Sequence, residues 1–241
     1  MSGFIDLHLH LLPGVDDGAK TLEDSLAMAK ALVSLGYAKA APSPHNRSEY
    51  APKSECLEKL MSVQAVLTEQ QIALELHSNS ENFFLDEGLL HAQKTGSART
   101  INELGKHLLV EAPYQATLPT LKDILFRLQV KGVTPVIAHP ERCLEFEAKG
   151  RAAETVAAGA NLQLDMAALI GRYGPNAKKL AERFLGEGLY AIAATDAHSP
   201  HKMVEWVGDS LKALEKAAGA AYFRRLVVDN PSRLLRGEAV V

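Results

Sequence analysis

Cysteine is scarce in this chain. Only Cys56 and Cys143 occur among 241 residues, which excludes a disulfide framework. No apolar run approaches the roughly 20 residues needed to cross a bilayer. The N-terminus also lacks the charged-then-apolar layout of a signal peptide, so we expect a cytoplasmic protein without membrane insertion. There is no basic tract, and the formal net charge is -3, so nothing points to a nucleic-acid partner or a membrane surface. Linker-like shifts in composition and internal repeats are absent too, and we expect one domain over residues 1–241. What is present is 47% hydrophobic and 23% charged residues, enough for a large core.

Apolar runs and helical spacings alternate along the chain. Phe4 to His10 alternates apolar and polar residues and reads as a strand, after which Pro13-Gly14 and Asp17-Gly18 turn the chain. Thr21 to Asp24 resembles a capping box, Leu22 to Val33 has helical spacing, and Gly36 suits the position just past the helix. Further strands are expected at Tyr37–Pro42, Ile72–Leu76, Leu108–Val110, Val133–Ala138, Asn161–Leu164 and Leu189–Ala194. Helices are expected near 54–70, 118–131, 151–158 and 176–187, and through the remainder, with Asn230-Pro231 as punctuation. Residues 82–105 are the least legible. The alternation implies α/β architecture with a largely parallel sheet, and seven such units imply a closed or nearly closed barrel.

The polar residues fall in one kind of place. His8 and His10, His45, Glu81, Glu111, His139, and Asp196 with His198 all lie at or just past the end of an expected strand, and only the sixth strand lacks one. In a β/α barrel those ends meet at one mouth, where active sites form. Residues two apart in a strand share a face, so His8 and His10 converge, with Asp6 beside them. Asp16 and Asp17 add carboxylates nearby, and the sequence does not separate them. Imidazoles mixed with carboxylates and no thiolates suit manganese, iron or catalytic zinc. So many ligands imply a cluster of ions rather than one, an arrangement suited to phosphoryl displacement.

These residues resemble the PHP (polymerase and histidinol phosphatase) superfamily, and within it the bacterial capsule-associated, manganese-dependent tyrosine-protein phosphatases of the CpsB/YwqE type. The resemblance rests on Asp6-Leu7-His8-Leu9-His10, the run from Leu12 to Glu23, Pro44-His45, Glu81, Glu111, Ile137 to Arg142, Thr195-Asp196-Ala197-His198 and Asp229-Asn230-Pro231. It implies a distorted (β/α)7 TIM-like barrel holding three divalent ions: manganese, with iron, cobalt or zinc as substitutes. It further implies that His8, His10, Glu81 and Asp196 hold one ion, that Glu81 bridges to a second on Glu111 and His139, and that Asp17, His45 and His198 hold the third. Arg142 is then expected to contact the substrate phosphate, with Arg47 as a weaker candidate. The family's arginine soon after the Asp-x-His motif is missing, and His201 or Lys202 stands in its place.

The reaction so implied is hydrolysis of phosphotyrosine by a metal-bridging hydroxide, with His198 or His201 able to protonate the leaving group. The expected partner is an autophosphorylated bacterial tyrosine kinase controlling polysaccharide synthesis. Three other readings compete: a small-molecule phosphatase such as one acting on histidinol phosphate, an amidohydrolase, and a non-catalytic metal-binding regulator. A cysteine phosphatase is disfavoured, since neither cysteine has an arginine six residues on. Trp206 is expected in the core or an interface, Phe83 and Phe84 near the mouth, and His77, His91 and His107 outside the site.

Overall fold

Strand β1 (Phe4–Asp6) crosses over through helix α1 (Leu22–Ser34) and pairs in parallel with β2 (Tyr37–Ala40). The helix starts where the capping box requires: the backbone N–H of Asp24 donates to Thr21 Oγ1, and that of Thr21 to the Asp24 carboxylate, each at 3.2 Å. Such a cap contributes about 1 kcal/mol. At the other end, Gly36 takes the left-handed conformation (φ 92°) and donates to Val33 O. The computed structural model describes residues 3–83 and 85–241, so Phe84 lies outside the described residues.

The second and third units differ from expectation. Each is broken into two short strands: β2 resumes as β3 (His45–Asn46), and after α2 (Lys53–Glu69), β4 (Glu75–Leu76) resumes as β5 (Glu81–Asn82). Pro42 and Pro44 remove two backbone donors between β2 and β3, so the ladder cannot run through. As a result β1, β2 and β4 form one parallel sheet, while β3 and β5 join another. That second sheet continues through α3 (Glu87–Thr95), β6 (His107–Val110), α4 (Leu121–Val130), β7 (Thr134–Ala138), α5 (Arg151–Ala157), β8 (Asn161–Asp165), α6 (Gly174–Gly186) and β9 (Tyr190–Ala194). Helix α7 (Met203–Arg224), a π-helical turn at Arg225–Asp229 and α8 (Asn230–Leu235) follow.

Counting β2 with β3 and β4 with β5, the described residues give seven parallel staves, the barrel expected from the sequence. The ring closes between its first and last staves. Leu9 bridges Ala197, His10 N donates to Ala197 O, and Asp196 N donates to His8 O, both bonds at 2.8 Å. Asp6 staples the same seam by accepting from Thr195 Oγ1 at 2.6 Å. Burial pushes the Asp6 carboxyl up to about 6 against those hydrogen bonds. Asp6 therefore does not join the histidines, because its carboxylate is spent on the neighbouring strand.

Alternation along the strands sorts the core into two layers. On β6, Leu108 and Val110 pack in the large cluster with Leu121, Ile124 and Leu128 of α4. Leu109 packs with Ile5, Val136 and Ile192, and Leu234 of α8 joins this smaller cluster. No helix is long and apolar enough to cross a membrane, among the described residues.

Candidate metal centre

The strand ends bring nine ligand-type side chains together: His8, His10, Asp17, His45, Glu81, Glu111, His139, Asp196 and His198. Four overlapping groups offer ligand atoms within 4.8 Å of one another: His8, His10 and Asp196; His8, Glu81 and His139; His45, Glu81 and Glu111; and His10, Asp17, His45 and His198. Glu81 stands at the middle. One carboxylate oxygen lies 3.1 Å from His139 Nε2 and 3.4 Å from His8 Nε2, and the other lies 2.9 Å from His45 Nδ1. Asp196 Oδ1 lies 3.2 Å from His8 Nε2 and 3.4 Å from His10 Nε2. Asp17 Oδ1 faces His45 and His198 at 3.4 and 3.6 Å. Glu111 groups with His45 and Glu81, and its Oε1 also lies 3.9 Å from His139 Nε2.

Two of these residues hold backbone conformations that favour glycine. His139 has φ 33° and Asp196 has φ 51°, immediately after β7 and two residues past the end of β9. Non-glycine residues in this region cost about 1–3 kcal/mol each and persist where the surrounding structure fixes them. The effect is to swing both side chains off the strand axis into the mouth.

Neighbouring groups fix which ring nitrogen faces inward. His8 Nδ1 is held by Gln163 Oε1 at 2.8 Å, His10 Nδ1 by Asp16 Oδ2 at 2.6 Å, and His198 Nδ1 by Asp196 O at 2.8 Å. Each acceptor fixes a proton on Nδ1, so Nε2 is the nitrogen that takes a cation once its own proton is displaced, the orientation of metal-binding histidines. The Nε2 atoms of His8 and His10 are buried without a hydrogen-bond partner and point at the Glu81 and Asp196 carboxylates. Orphaned imidazole nitrogens ringed by carboxylates fit divalent cations, and the donor set suits manganese, iron or zinc.

The same geometry separates Asp16 from Asp17. Asp16 is consumed by His10 and by the backbone N–H groups of Gly18 (2.9 Å) and His45 (3.1 Å), whereas Asp17 faces the cluster half-exposed. Gly18 is required there, because a Cβ at this position would strike the backbone oxygen and Cβ of His10.

Electrostatics follow from packing acids and imidazoles out of water. Burial alone would pull His10 down, but the Asp16 and Asp196 carboxylates push it up to about 9. His45 is pushed up to about 10 by Asp17 and Glu81, against burial. Burial likewise works against the ionised forms of Glu81 and Asp196, yet the imidazoles hold both well below the usual carboxylate range. His198 moves the other way, lowered by burial and by the charge on His10.

Arg142 and Arg47 stand at the rim. Arg142 Nη1 donates to Asp196 Oδ2 at 2.6 Å and to Asp165 Oδ2 at 3.2 Å, and its guanidinium lies 4.1 Å from the Tyr173 ring and 5.0 Å from that of Tyr114. Arg47 pairs with Glu111 and lies 4.4 Å over the Phe83 ring. Tyr114 stacks on His139 and donates to Glu111 Oε1 at 3.1 Å. His201 and His91 are exposed, His77 is half-buried and His107 is buried, and all four lie outside the four groups. Both cysteines are buried; Cys143 Sγ donates to Ala112 O, and burial pushes its thiol far up.

The sequence reading missed Gln163 and Asp165, since the sixth strand was ended at Leu164 and credited with no polar ligand. That strand in fact runs through Asp165, which is fully buried. Applying to Gln163-x-Asp165 the two-residue rule applied to His8 and His10 would have found both.

Comparison with known proteins places this geometry. The tyrosine-protein phosphatase YwqE of Bacillus subtilis is 29% identical over 98% of this chain and 93% of its own length. The tyrosine-protein phosphatase CpsB of Streptococcus pneumoniae is 25% identical over 98% of this chain and 100% of its own. A chain from the crystal structures of YwqE and CpsB, unique metal-dependent tyrosine phosphatases, superposes with a TM-score of 0.90 at 28% identity, covering 98% of this chain and 96% of that one. A β-aspartyl dipeptidase from Fervidobacterium islandicum shares the fold alone, with a TM-score of 0.60 at 14% identity over 98% of this chain and 74% of that one. The model of the capsular polysaccharide synthesis family CpsB/CapC matches residues 4–236, and the chain belongs to that family.

Proposed function

We propose that this chain is a metal-dependent phosphatase of phosphotyrosine proteins, formed by a single domain over residues 1–241. The observation that carries the reading is the convergence of nine imidazole and carboxylate side chains beneath two arginines in one barrel mouth. His8, His10, Glu81 and Asp196 would hold one cation, Glu81, Glu111 and His139 a second, and Asp17, His45 and His198 a third, with manganese as the ion. Cations held there supply positive charge for the phosphoryl oxygens and lower the pKa of water at the site.

The chain's own residues would orient and neutralise. Arg142 offers a fixed, permanently charged fork to the phosphate oxygens. Asp165 and the two tyrosine rings hold that fork in place. Arg47 approaches from the opposite wall, with Phe83 beneath it. With His198 held on Asp196 O through Nδ1 and offering Nε2 to the third cation, protonation of the leaving oxygen falls to water. A tyrosyl leaving group, with a pKa of about 10, needs less of that help than an alkoxide does. By family, the substrate would be an autophosphorylated tyrosine kinase of polysaccharide synthesis in the cytoplasm.

The test is phosphate release by manganese-loaded protein from a phosphotyrosine peptide, a phosphoserine peptide and histidinol phosphate. An EDTA-treated sample and a His139→Ala variant serve as controls. Preference for phosphotyrosine, lost in both controls, is the expected result. Preference for histidinol phosphate would keep the metal centre and replace the substrate, and no release at all would sink the phosphatase reading.

A further inference from the structure

Beside the metal centre, a cavity of about 340 Å³ opens between the loop that follows β8 and the start of α7. It shares Asp196 and His198 with the centre, and its outer wall carries Arg172, His201 and Lys202. Among the described residues, none of these three side chains has a carboxylate within ion-pair distance, in contrast to Arg142 and Arg47. The only acid in the lining is Asp196, whose carboxylate is taken up by Arg142, His8 and His10.

Two further features mark the wall as shaped for an anion. Arg172 is exposed yet held in place, its guanidinium 4.7 Å over the ring of Trp206. Lys202, in the left-handed conformation (φ 50°), occupies the capping position of α7 and supplies no side-chain cap. Met203 N in the first turn of that helix donates to Pro200 O and Glu205 supplies its own acid, so what the wall offers an anion is the Arg172 and Lys202 side chains themselves. Trp206 itself packs against the core, as expected, and also serves as the platform for Arg172.

We propose that this cavity is a subsite for a second oxyanion on the substrate, next to the phosphotyrosine. That oxyanion is either the carboxylate of a flanking acidic residue or the phosphate of a second phosphorylated tyrosine. The proposal rests on the phosphotyrosine reading above and adds to it a preference for negatively charged flanks. Phosphate at the metals and a carboxylate on Arg172 then grip one peptide at two points. Because the cations are exposed, the gain is modest and weakens with salt.

The test compares kcat/KM of manganese-loaded protein on three phosphotyrosine peptides, with flanking glutamates, with flanking glutamines, and with a second phosphotyrosine. In parallel, the unphosphorylated glutamate and glutamine peptides are titrated while following the emission of Trp206, the chain's single tryptophan. We expect the glutamate peptide to exceed the glutamine peptide by about fivefold through KM, with the ratio falling toward one in Arg172→Ala and in Lys202→Gln. Only the glutamate peptide should change the emission saturably. If the second phosphotyrosine alone confers the gain, the oxyanion is a phosphate; if both do, either group fits. Equal KM values for all three peptides, or a ratio untouched by both substitutions, would overturn the subsite. If the wild type releases no phosphate from any peptide, the phosphatase reading fails, and the emission titration alone then decides the subsite.

Discussion

Asp16 Oδ2 sits 2.6 Å from His10 Nδ1, and its other oxygen accepts from the backbone of Gly18 at 2.9 Å. One carboxylate thus orients a ligand-type imidazole and pins the loop that carries Asp17. Removing it in Asp16→Ala should lower metal affinity about 10–100-fold, the usual effect of losing a group that orients a ligand. Asp17→Ala should strip only the group formed with His45 and His198 and leave the rest loaded. Metal content after gel filtration, measured by plasma mass spectrometry, separates the two. Full loading of Asp16→Ala would contradict the assignment.

Asp165 is a positioning residue for Arg142. In Asp165→Asn the guanidinium loses a charged anchor while every ligand-type side chain remains. The expected result is a fall in kcat/KM of about ten- to hundredfold with metal content retained. An equal loss of metal would mean that Asp165 supports the ligands instead.

Glu141 predicts a pH dependence of stability. It is buried, accepts from Asp165 N and lies 2.8 Å from Tyr190 Oη, and burial together with the Asp165 charge pushes it up to about 8 from 4.5. A group raised in the fold contributes stability that is fully present below its unfolded value and is lost as pH rises through the folded value. Urea unfolding should therefore show stability declining from about pH 4.5 to about pH 8, with that slope reduced in Glu141→Gln. A slope identical in the variant would place the titration elsewhere.

Protons and metal compete for the same imidazoles. Raised to about 9 and about 10, His10 and His45 hold protons at neutral pH that a cation must displace. Apparent metal affinity, read by competition with a chelating dye, should climb from pH 6.5 toward pH 9. EDTA-treated protein should lose stability as pH rises from about 6.5 to about 9–10, since the imidazoles give up the protons that attract them to Asp16, Asp17 and Glu81. Affinity flat across that range would contradict the protonated state.

The thiols should be bystanders. Cys56 and Cys143 are buried with their ionisation pushed up, so neither provides a thiolate at neutral pH. Iodoacetamide treatment of the native protein should leave phosphate release unchanged. Inactivation in step with alkylation would reopen a cysteine route.

Much of the site was legible because the chain announces it: each buried apolar run ends where a His, Asp or Glu begins, and barrel topology gathers those ends. What stayed hidden depends on partners distant in sequence. Nothing local tells Asp16 from Asp17, since the choice is made by His10 and the loop closing on Gly18. Gln163 looks neutral until His8 is beside it. Pro42 and Pro44 announce the break after β2, whereas the one after β4 comes with a change of sheet partner, which periodicity within a strand cannot register.

The seam between the first and last staves has a consequence for when the site comes into being. His8 and His10 emerge from the ribosome more than 180 residues of chain ahead of Asp196 and His198. Until Ala197 docks on Leu9 and His10, the cage lacks one of its walls. On the proposed reading, the groups that use Asp196 and His198 could take a cation only after the ring closes, so loading of those groups would follow closure. Once bound, such ions would clasp the first and last staves across the seam that the Leu9–Ala197 bridge closes.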